Sequence, residues 1–165
     1  MIFVTIGSMF PFDRMIRAMD GLVGEGGLAR TGEDAILAQI GEGAYEPRHM
    51  RWVRSLGRAE YAACVARARL VVAHAGVGSV IAAAEHGKPI VVVPRRAHLG
   101  EHTSDHQLET ADWLKEKPGV HVAPSEADLG PSIAAALAEG AGTGPRIVPT
   151  ADPAFLARIR NFIQR

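Results

Sequence analysis

The residues best placed to do chemistry lie between His74 and Gln107. His74-Ala75-Gly76-Val77-Gly78-Ser79 sets two glycines and a hydroxyl at the head of a run of good helix formers. Amides left free at Val77, Gly78, Ser79 and Val80 would face outward at the positive end of that helix. Glycines at 76 and 78 permit unusual backbone angles and remove side chains that would hold an anion off. The combination suits a diphosphate. The competing reading is that the glycines serve only a tight turn and Ser79 only caps the helix.

A second polar stretch follows: Arg95, Arg96, His98, Glu101, His102, Asp105, His106 and Gln107. Either arginine would pair bidentately with a diphosphate or with a ligand carboxylate. The alternative is a solvated basic turn. His98, His102 and His106 are four residues apart and would share a face on one continuous helix. Gly100 and the polar run argue against such a helix, so no metal site is expected.

The elements that must position these residues read as alternating strands and helices. Residues 70–72 and 90–93 are β-branched runs of the kind buried in a parallel sheet, the second ended by Pro94. Between them, 80–86 reads as helix stopped at Gly87. Before them come a strand at 2–6 ending in Gly7-Ser8, and a helix over 12–23 with apolar residues at helical spacing. Then follow a Gly-rich connection over 24–32, strands at 35–40 and 50–53, and an alanine-rich helix at 57–68. After them the pattern predicts a polar loop over 98–105, a helix through 114 and an edge strand at 120–123. A helix should begin at Ser125, where Ser125 and Asp128 fit a capping box. A Gly/Pro-rich loop at 140–149 leads to a terminal amphipathic helix at 153–163. The class is α/β, a Rossmann-like parallel sheet with helices on both faces. Such sheets bind ligands at the carboxyl ends of their strands, where 7–13, 74–79 and 95–107 should gather.

Composition bounds the partners. The 165 residues fit one binding domain over 1–150, with 151–165 as a helix that packs back or docks a partner. Formal net charge is zero, so overall charge favours neither nucleic acid nor an anionic membrane. The one cysteine, Cys64, sits in an apolar helical pattern and reads as a structural thiol. No apolar run is long enough to span a bilayer, and no signal-peptide pattern follows Met1. The expected location is therefore cytoplasmic, peripheral at a membrane only through a partner.

Three segments in order, MIFVTIGSMFPFDRMIRAMD, AEYAACVARARLVVAHAGVGSVIAAAEHGKPIVVVP and DHQLETA, resemble the C-terminal, donor-binding domain of family 28 glycosyltransferases. The resemblance runs from Met1 to about Ala138 and is nearest the free-standing versions that work beside a membrane-anchored subunit. Those include a eukaryotic subunit for N-acetylglucosamine transfer to a dolichol-linked sugar and bacterial exopolysaccharide subunits; PRRAHLGEHTSDHQ is more similar to the bacterial type. The resemblance implies the C-terminal half of a GT-B enzyme. It implies that His74, Gly76, Val77, Gly78 and Ser79 hold the diphosphate of a UDP-sugar. By the same resemblance Gln107, with Asp105 and His106 ahead of it, contacts sugar hydroxyls. Gly7 and Ser8 would lie near the reacting centre, and 54–56 near the uracil. The position of the family's ribose-binding glutamate is Ala82 here. Glu101 or Glu85 would have to substitute, with Glu101 favoured by its loop.

The implied function is the UDP-sugar-binding subunit of a two-part transferase, moving a hexose, uronic acid or N-acetylhexosamine to a lipid-linked acceptor in polysaccharide or glycolipid synthesis. A uronic-acid donor would suit Arg95 or Arg96. Catalysis would need no metal or other cofactor, and the general base would sit on the partner, so no catalytic residue is assigned here. The isolated chain is expected to transfer nothing, and it leaves room for self-association. The rival is a non-catalytic nucleotide-sugar-binding subunit. A dinucleotide enzyme fits less well, because the third glycine of G-x-G-x-x-G is Ile81. An epimerase of this architecture would need two such domains.

Overall fold

The computed structural model describes residues 1–28, 35–140, 142–145 and 153–163. Six strands form one sheet: β1 (Ile2–Thr5), β2 (Ile36–Gln39), β3 (Arg51–Val53), β4 (Leu70–His74), β5 (Ile90–Val93) and β6 (Val120–Val122). The helices are α1 (Asp13–Gly24), α2 (Arg58–Arg67), α3 (Val77–Glu85), α4 (His106–Leu114), α5 (Leu129–Glu139) and α6 (Pro153–Ile163). Strand order is β3-β2-β1-β4-β5-β6, and every neighbouring pair is parallel. The order reverses between β1 and β4, and that switch point opens a crevice at the strands' carboxyl ends.

Alternation along the strands feeds two cores. Ile2, Val4, Leu70, Val72, Val91 and Val93 face α1 and α5, meeting Met15, Ile16, Met19, Ile133 and Ala136. Phe3, Val71, Ala73, Ile90 and Val92 face the other way, meeting Val65 of α2, Val80 and Ala83 of α3, and Ala111 and Leu114 of α4. Strands buried on both faces explain why these runs read as continuous β-branched stretches rather than as alternation. Each fully buried aliphatic side chain contributes on the order of 2 kcal/mol, so the sheet is a firm platform for the loops above it.

Two boundaries differ from expectation for a physical reason. The first strand stops at Thr5, where the Thr5 hydroxyl turns to donate to Gln39 Oε1 at 2.9 Å. Asp128 does accept from the Ser125 amide (3.0 Å) and hydroxyl (2.6 Å), but these bonds close a separate turn. The helix therefore begins at Leu129 rather than at Ser125. The connections over 24–32 and 140–149 fall partly outside the described residues, as does Arg165 at the chain's end. No helix among the described residues is long and apolar enough to cross a membrane. Cys64 packs against the second core, and burial raises its thiol above the ordinary value, opposite to what a nucleophile needs.

Candidate functional site

A cavity of about 460 Å³ sits over the carboxyl ends of β1, β4 and β5. Gly7 and Ser8 line it from the first loop, and His74, Gly78 and Ser79 from the central turn. Arg95, His102 and Gln107 come from the segment after β5. The three polar segments that the sequence sends to one edge thus share one concavity. Gly76, Val77, Glu101, Asp105 and His106 do not line it.

The glycines of the central turn divide the work. Gly76 is extended (φ −99°, ψ 133°) and Gly78 lies within α3; neither has the positive φ that would require glycine. Gly76 is small because of His74: a Cβ there would fall on the imidazole, 2.8 Å from Cδ2 and 3.0 Å from Cε1. Gly7 crowds the same ring, since its Cβ would lie 2.7 Å from His74 Cε1. Its φ of +78° independently disfavours other residues. A Cβ on Gly78 would meet nothing within 4 Å. Of the two glycines, only Gly78 therefore leaves open space where a side chain would stand, which corrects the expectation that both do.

The amides divide similarly. Ser79 and Val80 donate to the Gly76 carbonyl at 3.1 and 3.4 Å. Val77 and Gly78 have no backbone acceptor among the described residues, so two free amides rather than four head α3. Val77 itself points its side chain to solvent. Ser79 is buried at the cavity wall beside Tyr61 and Thr5, whose hydroxyl neighbourhood partly offsets the upward push of burial on the Tyr61 phenol.

His74 is held neutral. Burial, then the charges of Arg95 and His102, lower its pKa to about 4. Its Nδ1 is buried without a hydrogen-bond partner. The ring can exchange hydrogen bonds with a ligand but brings no charge at neutral pH.

Arg95 and Glu101 require the largest corrections. Arg95 is 2% exposed, and its guanidinium donates to four backbone carbonyls. These are Ile6 (2.8 Å), Phe10 (2.7 Å), Pro11 (2.5 Å) and Glu101 (3.2 Å). It has no free fork with which to grip a ligand carboxylate. Arg96 is committed elsewhere, donating to the Pro124 carbonyl at 2.8 Å. Glu101 accepts from Arg14 Nε (2.6 Å) and Nη2 (2.9 Å) and from the Arg96 amide (2.9 Å). It is a latch between α1 and the loop after β5 and does not line the cavity, where a ribose acceptor is expected. Glu85 lies exposed on α3, also away from the cavity.

Of the Asp-His-Gln triplet, only Gln107 reaches the cavity. It is buried, and its Oε1 accepts the Arg95 amide at 3.1 Å, which leaves its amide nitrogen to donate. Asp105 is turned to the Ala97 amide at 2.8 Å. His106 is exposed and lies edge-on to His102, with ring centroids 4.4 Å apart; His102 in turn meets Phe10 at 5.0 Å. Among the described residues no three His, Cys, Asp or Glu side chains converge on a metal position.

Sequence reasoning missed part of the wall. Arg58 and Tyr61, in the first turn of α2, line the cavity, as does Gln39 at the end of β2. The available signal was positional: α2 starts just beyond the carboxyl end of β3, so its first turn must face the crevice. Leu56, expected near a base, does line the cavity. Among the described residues the wall holds two arginines, two histidines and no carboxylate.

Comparison with known proteins adds the following. Residues 1–139 match the model of the glycosyltransferase family 28 C-terminal domain. The UDP-N-acetylglucosamine transferase subunit ALG13 of Yarrowia lipolytica (strain CLIB 122 / E 150) is 32% identical over 125 residues, 71% of this chain and 61% of that protein. The chain thus spans about three fifths of that curated relative. Among solved structures, the glycotransferase of kitacinnamycin superposes with a TM-score of 0.55 at 17% identity, covering 99% of this chain and 38% of that one. The solution structure of ALG13 superposes with a TM-score of 0.54 at 16% identity, covering 96% of this chain and 93% of that one.

Proposed function

The chain belongs to the glycosyltransferase family 28 C-terminal domains and has the fold of the C-terminal half of a GT-B glycosyltransferase; from that premise we propose that it is the UDP-sugar-binding subunit of a two-part glycosyltransferase. The observation that carries this reading is the cavity wall at the head of α3: cationic and neutral polar groups and, among the described residues, no carboxylate. Such a wall attracts a diphosphate and repels nothing anionic.

In this reading residues 1–150 form the donor-binding unit. The Val77 and Gly78 amides, the Ser79 hydroxyl and neutral His74 hold the diphosphate, with Arg58 above it. Gln107 donates to a sugar hydroxyl, and 54–56 bracket the uracil, with Leu56 at the wall. An acceptor hydroxyl oxygen bonds to the sugar's anomeric carbon as the bond from that carbon to the β-phosphate oxygen breaks. UDP leaves with the electron pair, and the hydroxyl proton passes to a base on the partner. The positive end of α3 and the cationic wall stabilise the departing charge, so the reaction proceeds without a divalent ion. That the wall holds no carboxylate among the described residues supports this, since hard cations take oxygen ligands.

The partner is a membrane-anchored, acceptor-binding subunit, and the acceptor is a lipid-linked sugar or related glycolipid precursor. The apolar stripe of α6 is the docking element: Ile159, Phe162 and Ile163 are exposed on it. The side chains of Phe155 and Leu156 in that stripe lie outside the described residues. One observation favours a second reading, a non-catalytic nucleotide-sugar-binding subunit: with Ala82 on α3 and Glu101 tied to Arg14, no acid among the described residues lines the cavity to bind ribose.

Calorimetry with UDP, UDP-sugars and NAD tests the ligand class. UDP and at least one UDP-sugar should bind, and NAD should not. Saturable NAD binding without UDP binding would overturn the proposal. Turnover of UDP-sugar only when the membrane partner is added supports the transferase. Donor binding with no turnover in the reconstituted pair supports the second reading.

A further inference from the structure

Among the described residues that line the cavity, Arg95 is the deeply buried cation, and no carboxylate bonds to its guanidinium. Its four guanidinium partners are carbonyl oxygens, which satisfy hydrogen bonds but carry no net charge. The nearest carboxylate, Glu101, is already held bidentately by Arg14. Arg14 also reaches Glu126 at 3.2 Å, so both nearby carboxylates are engaged by Arg14, and among the described residues the Arg95 guanidinium stands beneath the cavity wall without an ion pair of its own. Burial pushes the Arg95 pKa down to about 10, still well above neutral, so the charge persists.

Its contacts also build the cavity. Ile6, Phe10 and Pro11 bracket the loop that carries Gly7 and Ser8, so their carbonyls pin one wall. The Arg95 amide fixes Gln107 on the other. Phe12 lies under the guanidinium, 4.6 Å from centroid to Cζ, and completes the cradle. A lysine has three donors on a compact head and cannot reach four carbonyls in one plane.

We infer that Arg95 is a positioning residue that also supplies the positive field for the bound anion, without touching it. This rests on the UDP-sugar reading above and deepens it. A purely structural arginine would, when replaced, weaken every ligand of the cavity alike. A field source weakens charged ligands selectively.

The test compares UDP with uridine by calorimetry in the full chain and in R95Q, R95K and E101Q. If the wild type does not bind UDP, the underlying reading fails. Given wild-type binding, R95Q should cut UDP affinity by roughly tenfold more than uridine affinity. R95K, which keeps the charge and loses the fork, should weaken both ligands in similar proportion. E101Q is isosteric and leaves Arg95 uncut; removing its negative charge should raise the ratio of UDP to uridine affinity. Should R95Q fail to fold, E101Q and R95K carry the test. A ligand-free readout accompanies it: the His74 ring, titrated by NMR, should rise in R95Q while burial still holds it below an ordinary histidine, and should stay low in R95K. Equal loss of UDP and uridine in R95Q, an unmoved His74, or an E101Q ratio that stays or falls would overturn the inference.

Discussion

Gly76 is small because His74 occupies the space a methyl group would need. Gly7 crowds the same imidazole, whereas the Cβ position of Gly78 is open. Two glycines with a single residue between them thus have different physical duties, and mutation separates them. G78A adds a methyl to open space inside a helix and should stabilise the fold by about 0.5–1 kcal/mol. It should also reduce UDP affinity about tenfold by intruding on the anion's approach. G76A should instead destabilise by roughly 1–3 kcal/mol through overpacking on the ring. Thermal melts with UDP titrations check both; equal effects from the two substitutions would contradict the division.

The depressed pKa of His74 makes stability depend on pH with a definite sign. The unfolded chain takes up this proton near 6.5, the folded chain only near 4. Between those values the unfolded state binds more protons, so stability falls as pH drops from 6.5 to 4. The full difference is worth at most roughly 3 kcal/mol. H74Q should flatten this part of the profile in denaturant unfolding. A profile identical to that of the wild type would show that His74 titrates normally.

The Arg14–Glu101 pair fastens the loop after β5 to α1. R14A would leave Glu101 largely buried with its main counter-charge gone, at a cost of roughly 3 kcal/mol. Hydrogen exchange should quicken across 96–105 before it does in β4 or β5. Uniform quickening across the sheet would mean that the pair stabilises the whole fold and does not latch this loop.

Deleting residues 153–165 tests the docking role proposed for α6. The truncated chain should keep its UDP affinity and lose capture by the membrane-anchored partner. Capture that survives the deletion would place the interface elsewhere.

Much of the fold was readable because its strands are buried on both faces. Runs such as Ile90–Val93 declare themselves locally, and Gly87 marks the end of α3 with a φ of +61°. The site was readable only where local sequence decides. The turn at 74–79 begins a helix whatever surrounds it, but its glycines' duties depend on where the His74 ring packs. The fate of Arg95 depends on carbonyls more than eighty residues earlier in the chain, which no spacing within 95–107 can reveal. Arg58 and Tyr61 escaped notice because α2 read as alanine-rich scaffold, and only the sheet order shows that its first turn faces the crevice.

The central claim, that the head of α3 receives the diphosphate of an activated sugar, is tested most directly by NMR titration of the labelled protein with UDP. The account predicts saturable shifts centred on the amides of Val77 and Gly78 and on the side chain of Gln107, with inorganic diphosphate reproducing the first two. Saturable shifts confined to another surface, or none at all at millimolar UDP, would contradict it.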